Sequence, residues 1–313
     1  MIQPYPSRVG TSGKRNLTPG KESVILNHVI TLKETLFPEF ILKPCKAIVF
    51  ALLSGSILLT SHGFPAEGAA RKAGKDLLRL TVLFNNVPFR ADLETGWGFS
   101  CLIEGLEKTI LFDTGASGDI LLSNMHRLGL DPGNIDAVVL SHIHGDHTGG
   151  LGKVLEFNPD VTVYVPDSFP GSFLTEVQNL GAAVETVSGP RKLMDDVYST
   201  GEMGFAIREQ ALILDSREGL IVVTGCAHPN VADMAQRAAT YLDKKIYLLT
   251  GGFHLGGSSD AKVQRIIARL KALGVKKVAP SHCTGDNAIR MFREAWGNDF
   301  INGGLGAVIE LPK

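Results

Sequence analysis

One stretch constrains this chain more than any other: Ser-His-Ile-His-Gly-Asp-His-Thr-Gly-Gly at positions 141–150. Three imidazoles and a carboxylate crowd into it, and desolvation together with like-charge repulsion opposes such crowding unless a cation sits among them. His142 and His144 are two residues apart and can point the same way from an extended turn. Asp146 and His147 continue into the next turn, where they can serve a neighbouring ion. Gly145 permits the tight bend, and Gly149 and Gly150 keep bulk away from the start of the helix that follows. The fold must therefore deliver this loop, with its side chains facing inward, from the end of a rigid element.

The other histidines repeat the arrangement. The chain has nine, and His228, His254 and His282 each follow a short apolar run of strand character, at residues 219–224, 246–249 and 277–279, as His142 follows residues 137–140. Loops that leave neighbouring strands meet at one sheet edge, so distant segments can bring imidazoles to a common point. Imidazole and carboxylate suit zinc, iron and manganese, and three protein ligands with an open position make a catalytic site. His126 lies in a helical pattern at residues 118–128 and reads as a solvated or packed side chain.

Strand patterns are also predicted at residues 77–84, 99–103, 109–112, 161–165 and 205–214, with the first three forming an antiparallel meander. Helical patterns fall at 150–157, 230–242, 260–273 and 287–296. This alternation makes a layered α/β protein, with residues 77–313 read as one catalytic domain. The segment 167–199, with Pro170, Gly171, Gly189 and Pro190, is expected to form part of the pocket wall. An apolar fraction of 44% suffices for a large core, and 31 basic against 32 acidic residues leave a net charge of -1. No global field steers such a chain to nucleic acid or anionic lipid, so a small-molecule substrate is expected.

Residues 1–76 read as a leader. Lys43 and Lys46 precede an apolar run at 47–60 and a stretch of small residues, the order of a secretory signal. Fourteen residues fall short of the roughly 20 that span a bilayer. The expectation is export, with membrane contact only through this segment; a buried core helix and a cytoplasmic protein are the alternative. Cys45 would leave with the leader, and the remaining Cys101, Cys226 and Cys283 form no paired spacing of a disulfide scaffold.

Asp113-Thr-Gly115 followed by the 141–147 cluster resembles the metallo-β-lactamase superfamily. The resemblance runs from Leu77 to the C-terminus and implies a four-layered αββα sandwich with two divalent metal ions at the edge of its sheets, zinc first, with iron or manganese as alternatives. Phe99-Ser100, Thr224-Gly-Cys-Ala-His-Pro229, Gly251-Gly-Phe-His254 and Ser281-His-Cys-Thr-Gly285 resemble the pterin-transferring branch, the dihydropterin-ribofuranosyl-aminobenzene-phosphate synthases. It implies that His142 and His144 hold one ion, that Asp146 and His147 hold the other, and that His282 is the final histidine. The superfamily's further histidine ligand is supplied by His228 or is absent, since no histidine lies between His147 and His228. Cys226 stands where a bridging aspartate is usual, either as a ligand or as a small packed residue. His254 is an extra, a ligand, a substrate contact or a support for the ligands, and Asp113 is a supporting or substrate-facing residue. Three functions follow: a hydrolase that activates water on an ester, lactone, amide or phosphoester with Asp146 orienting the nucleophile, a pterin-transferring synthase, or a non-catalytic metal-binding protein.

Overall fold

The computed structural model describes residues 77–313, and the leader expected over residues 1–76 lies outside the described residues. In chain order the elements are β1 (Leu77–Asn85), β2 (Phe99–Glu104), β3 (Ile110–Phe112), α1 (Gly118–Arg127), β4 (Ala137–Val139), α2 (Gly145–Thr148), α3 (Leu151–Phe157), β5 (Thr162–Pro166), α4 (Gly171–Asn179) and β6 (Ala183–Val187). They continue with β7 (Arg191–Met194), β8 (Val197–Ser199), β9 (Leu212–Ser216), β10 (Gly219–Thr224), α5 (Val231–Leu242), β11 (Ile246–Gly252), α6 (Asp260–Ala272), β12 (Lys277–Ser281), α7 (Asp286–Trp296) and β13 (Val308–Pro312).

Two sheets result, one ordered β13-β1-β2-β3-β4-β5-β6 and the other β12-β11-β10-β9-β8-β7. Their central strands are apolar on both faces because each sheet is covered twice there. In β4, Ala137 and Val139 enter the core between the sheets, where β10 contributes Ile221 and Val223. Val138 turns the other way, to α1 and α3 through Leu121, Met125, Val154 and Leu155. Leu220 and Val222 of β10 likewise turn outward to α5, α6 and α7. Three apolar interfaces between four layers make the αββα sandwich that the sequence implied. The predicted meander is present, with β1–β2 and β2–β3 antiparallel.

The segment expected as a strand over 205–214 pairs as one only from Leu212. Phe205 stands 96% exposed in a turn. Glu209 and Gln210 are fully buried, and they hold loops rather than a ladder: the Gln210 side-chain amide donates to the Leu140 carbonyl, and its backbone N–H donates to that of Ser141. Residues 167–199 fold as α4, β6, β7 and β8, which the sequence reading did not resolve. It also missed β13, whose alternately exposed and buried residues pair antiparallel with β1.

Candidate metal centre

Parallel neighbours put the predicted ligands together. β3 runs parallel to β4, and β10, β11 and β12 run parallel to one another. Asp113 follows β3 and the 141–147 loop follows β4. Cys226 and His228 follow β10, His254 follows β11, and His282 follows β12. All these C-terminal strand ends open on one edge of the sandwich. His126 is exposed on α1 and takes no part.

The ligand atoms stand at spacings that a tetrahedral ion would impose. With metal–nitrogen bonds near 2.0–2.1 Å, the edge of such a tetrahedron is roughly 3.3 Å. His142 Nε2 lies 3.1 Å from His144 Nδ1. Asp146 Oδ2 lies 3.6 Å from His147 Nε2 and 3.4 Å from His282 Nε2. His147 Nε2 is 3.2 Å from Cys226 Sγ. Two groups of donor atoms are each compact enough for one ion: Asp146, His147, Cys226 and His282, and His142, Cys226 and His228. The rings of His144 and His228 are 4.9 Å apart, so His144 borders the second group. Cys226 is buried, with its Sγ turned toward the cluster.

Behind these atoms lies a set of groups that fix which ring nitrogen is free. The Ser141 hydroxyl donates to Asp113 Oδ2 at 2.8 Å, so its oxygen is left to accept from His142 Nδ1 at 2.9 Å. His147 Nδ1 donates to the same Asp113 oxygen at 2.7 Å. Asn86 donates its amide to the His282 carbonyl, and its Oδ1 accepts from His282 Nδ1 at 2.7 Å. Each of these imidazoles spends its proton outward and turns the Nε2 lone pair inward. The Nε2 atoms of His228 and His282 are buried and make no hydrogen bond, as suits nitrogens reserved for a cation. Removing Asp113 should free the His147 ring: Asp113→Ala is expected to weaken metal binding by about 10–100-fold, measured by chelator competition. An unchanged affinity would refute the orienting role.

Glu209 is the functional residue that the sequence did not reveal. Its Oε1 accepts from the backbone N–H groups of Cys226 and Ala227 at 2.9 and 2.8 Å, and its Oε2 accepts from that of His228 at 2.9 Å. One buried carboxylate thus clamps the loop that carries two candidate ligands. The clamp holds a costly backbone at Ala227, φ 60°, and the site has two more such residues on its other loops, His254 and His282 at φ 51° and 50°. Non-glycine residues in this region cost on the order of 1–3 kcal/mol each and persist where the surroundings dictate them. Gly225 next door has no alternative, since a Cβ there would stand 2.1 Å from Ser141 Oγ.

Residues 98–282 match the family model described as the metallo-beta-lactamase superfamily. The chain belongs to that superfamily. A 7,8-dihydropterin-6-methyl-4-(beta-D-ribofuranosyl)-aminobenzene-5'-phosphate synthase of Methanocaldococcus jannaschii is 32% identical over 68% of this chain and 89% of its own length. Among solved structures, a metal-dependent hydrolase of the β-lactamase superfamily superposes with a TM-score of 0.65 and 26% identity, over 75% of this chain and 100% of that one. The metallo-beta-lactamase fold protein YhfI of Bacillus subtilis, 17% identical with a TM-score of 0.59 over 75% of this chain and 100% of its own, shares the fold.

In this superfamily member the electrostatics keep two of the imidazoles, His142 and His228, unprotonated and ready for a cation. Burial, then His254 and His144, lowers His228 to about 4. Burial with the neighbouring His147 and His228 lowers His142 as well. Asp146 is half-buried, which raises its carboxyl, but His282 and His147 more than reverse this and hold it at about 2. Between about pH 4 and the ordinary histidine value near 6.5, an unfolded chain binds protons at positions 142 and 228 that the fold refuses, so stability falls with acidification. Glu209, which burial pushes up to about 7, acts in the opposite sense, and so do His147, raised against its burial by Asp113, and His254, raised by Cys283. The contribution of His228 is therefore read by difference: between pH 7 and pH 5 the metal-free wild type should lose more melting temperature, or gain less, than metal-free His228→Ala, and an identical pH response in the two would contradict this assignment.

Proposed function

We propose that the chain is a metal-dependent hydrolase that holds two divalent ions, zinc first with iron or manganese as alternatives, and acts on a small-molecule ester, lactone, amide or phosphoester. The observation that carries this reading is the inward convergence of the lone-pair nitrogens, two of them buried without a partner, around the Asp146 carboxylate. In it, His142, His144 and His228 hold one ion, and Asp146, His147 and His282 hold the other, with Cys226 between them. Ions bound there would supply Lewis acidity and an acidified water. Asp146, ionised at neutral pH, would accept a hydrogen bond from that nucleophile and orient it. Asp113, Ser141 and Asn86 would keep the imidazoles aimed while the substrate changes charge.

A second reading, a pterin-transferring synthase, is favoured by the 32% identity to the archaeal synthase along 89% of its length. The basic, apolar and small-residue order at the N-terminus weighs the other way. Export, which we propose from it, would separate the chain from cytoplasmic pterin diphosphates. Mass spectrometry of the mature N-terminus, expected within residues 67–71, tests that step. The function itself is tested by elemental analysis, with close to two equivalents of transition metal expected, and by a screen of the reconstituted protein against phosphodiesters, lactones, β-lactams and a pterin diphosphate. Consumption of the pterin diphosphate alone would replace the hydrolase reading with the synthase. A fully active preparation free of transition metal would end both.

A further inference from the structure

Cys226, His254 and Cys283 come from the loops after β10, β11 and β12, and their donor atoms lie within 4.8 Å of one another. The superfamily's histidine–aspartate pattern accounts for neither His254 nor Cys283. The backbone places them deliberately close. The Gly256 N–H donates to the Cys283 carbonyl at 3.0 Å, and the Phe253 N–H donates to Thr284 Oγ1 at 3.0 Å, so the two loops flanking His254 and Cys283 are stitched together. The Gly252 N–H donates to the Gly225 carbonyl at 3.1 Å, and Cys283 Sγ lies 3.5 Å from the Cys226 carbonyl, which ties in the third loop. Gly252 leaves room for the sulfur, because a Cβ there would stand 2.7 Å from Cys283 Sγ. His254 is held in a left-handed backbone conformation, φ 51°, and its ring packs 4.3 Å from that of His228.

We propose that Cys226, His254 and Cys283 form a further, sulfur-rich metal position beside the histidine-lined centre, for a thiophilic ion such as zinc. Two thiolates and an imidazole are a softer set than the imidazoles and carboxylate next to it, so the outer position discriminates in favour of thiophilic ions where the inner set does not. Both thiols release a proton as the ion binds. Cys226 belongs to both sets: its Sγ is 3.2 Å from His147 Nε2, so its thiolate would bridge the outer ion to the inner centre. His254 is exposed while Cys226 is buried, which puts the open side of this position toward solvent. The inference stands apart from the hydrolase reading, since it depends on ligand chemistry and not on turnover.

Cobalt(II), a spectroscopic stand-in for zinc, gives a near-ultraviolet charge-transfer absorption only where thiolate binds it. The full chain titrated with cobalt alone should show this absorption. Cys283→Ser should bind one ion fewer and keep roughly half the intensity, with one thiolate in place of two. His254→Ala should weaken binding of that ion and leave the intensity at saturation unchanged. Equal stoichiometry and equal absorption in Cys283→Ser and wild type would overturn the proposal, assigning any thiolate signal to Cys226 alone. Should the serine variant fail to fold, alkylation of the wild type decides: Cys283 is expected to be protected by cobalt and modified after chelation, and identical modification in both states would overturn it. His144→Ala removes a donor of the inner centre only, so its loss of inner metal together with an intact sulfur signal would separate failure of one site from failure of the other.

Discussion

His144→Ala is expected to remove one ion and to lower turnover by at least about a hundredfold, since groups that only orient a metal's histidines already act on the scale of 10–100-fold. The variant is informative because it should fold. His144 is half-buried just before α2, and its ring meets those of two other candidate ligands, His142, whose Nε2 lies 3.1 Å from its Nδ1, and His228. By contrast His147 is fully buried and anchored to Asp113, so its loss mixes metal loss with disruption of the interior. Elemental analysis and a thermal melt of the metal-free protein together read the effect: less metal and an unchanged apo melting temperature are expected. His126→Ala, exposed on α1, should change neither. Full activity with wild-type metal content in His144→Ala would remove this residue from the centre.

The parts of the site legible in the sequence are those whose chemistry is local. The His142-to-His147 spacing marks a candidate metal cluster by itself, and a strand before each of His228, His254 and His282 indicates that they can reach it. The fold class was legible for the same reason: β4 and residues 220–223 of β10 are apolar at every position, as suits strands covered on both faces. What stayed hidden depends on pairings across the chain. Asn86 meets His282 and Ser141 meets Asp113 at separations of 196 and 28 residues, and an isolated Asn or Ser carries no pattern that announces such a contact. β7 and β8 escaped because they are only four and three residues long, too short for a period to show, with β7 at the sheet edge and β8 beside it. The 205–214 run was mistaken for a strand because its polar residues, Glu209 and Gln210, point inward to hold loops instead of outward to solvent.

Glu209→Ala is expected to do more damage than removal of any single candidate ligand, though the carboxylate stands 3.9 Å from His142 Nδ1, the nitrogen turned away from the metal position. Three consecutive buried N–H groups, of Cys226, Ala227 and His228, depend on its two oxygens. Each buried donor left without an acceptor costs about 1–3 kcal/mol, and three approach the roughly 5–15 kcal/mol by which a whole domain is stable. The left-handed Ala227, φ 60°, then has nothing to impose its conformation. Glu209→Gln keeps the volume but offers one carbonyl oxygen and places an amide donor against N–H groups, so it should fall between alanine and wild type. The ionised form of Glu209 is the one that can serve three donors. Burial opposes that form and pushes the carboxyl up to about 7, whereas a divalent cation nearby favours it, so the clamp and the metal centre reinforce each other. The two contributions separate in metal-free protein: there His144→Ala should retain the wild-type denaturation midpoint, while Glu209→Ala should lose a large part of it. If metal-free Glu209→Ala unfolds at the wild-type midpoint, the loop holds its shape without the carboxylate, and the positioning role assigned to Glu209 is wrong.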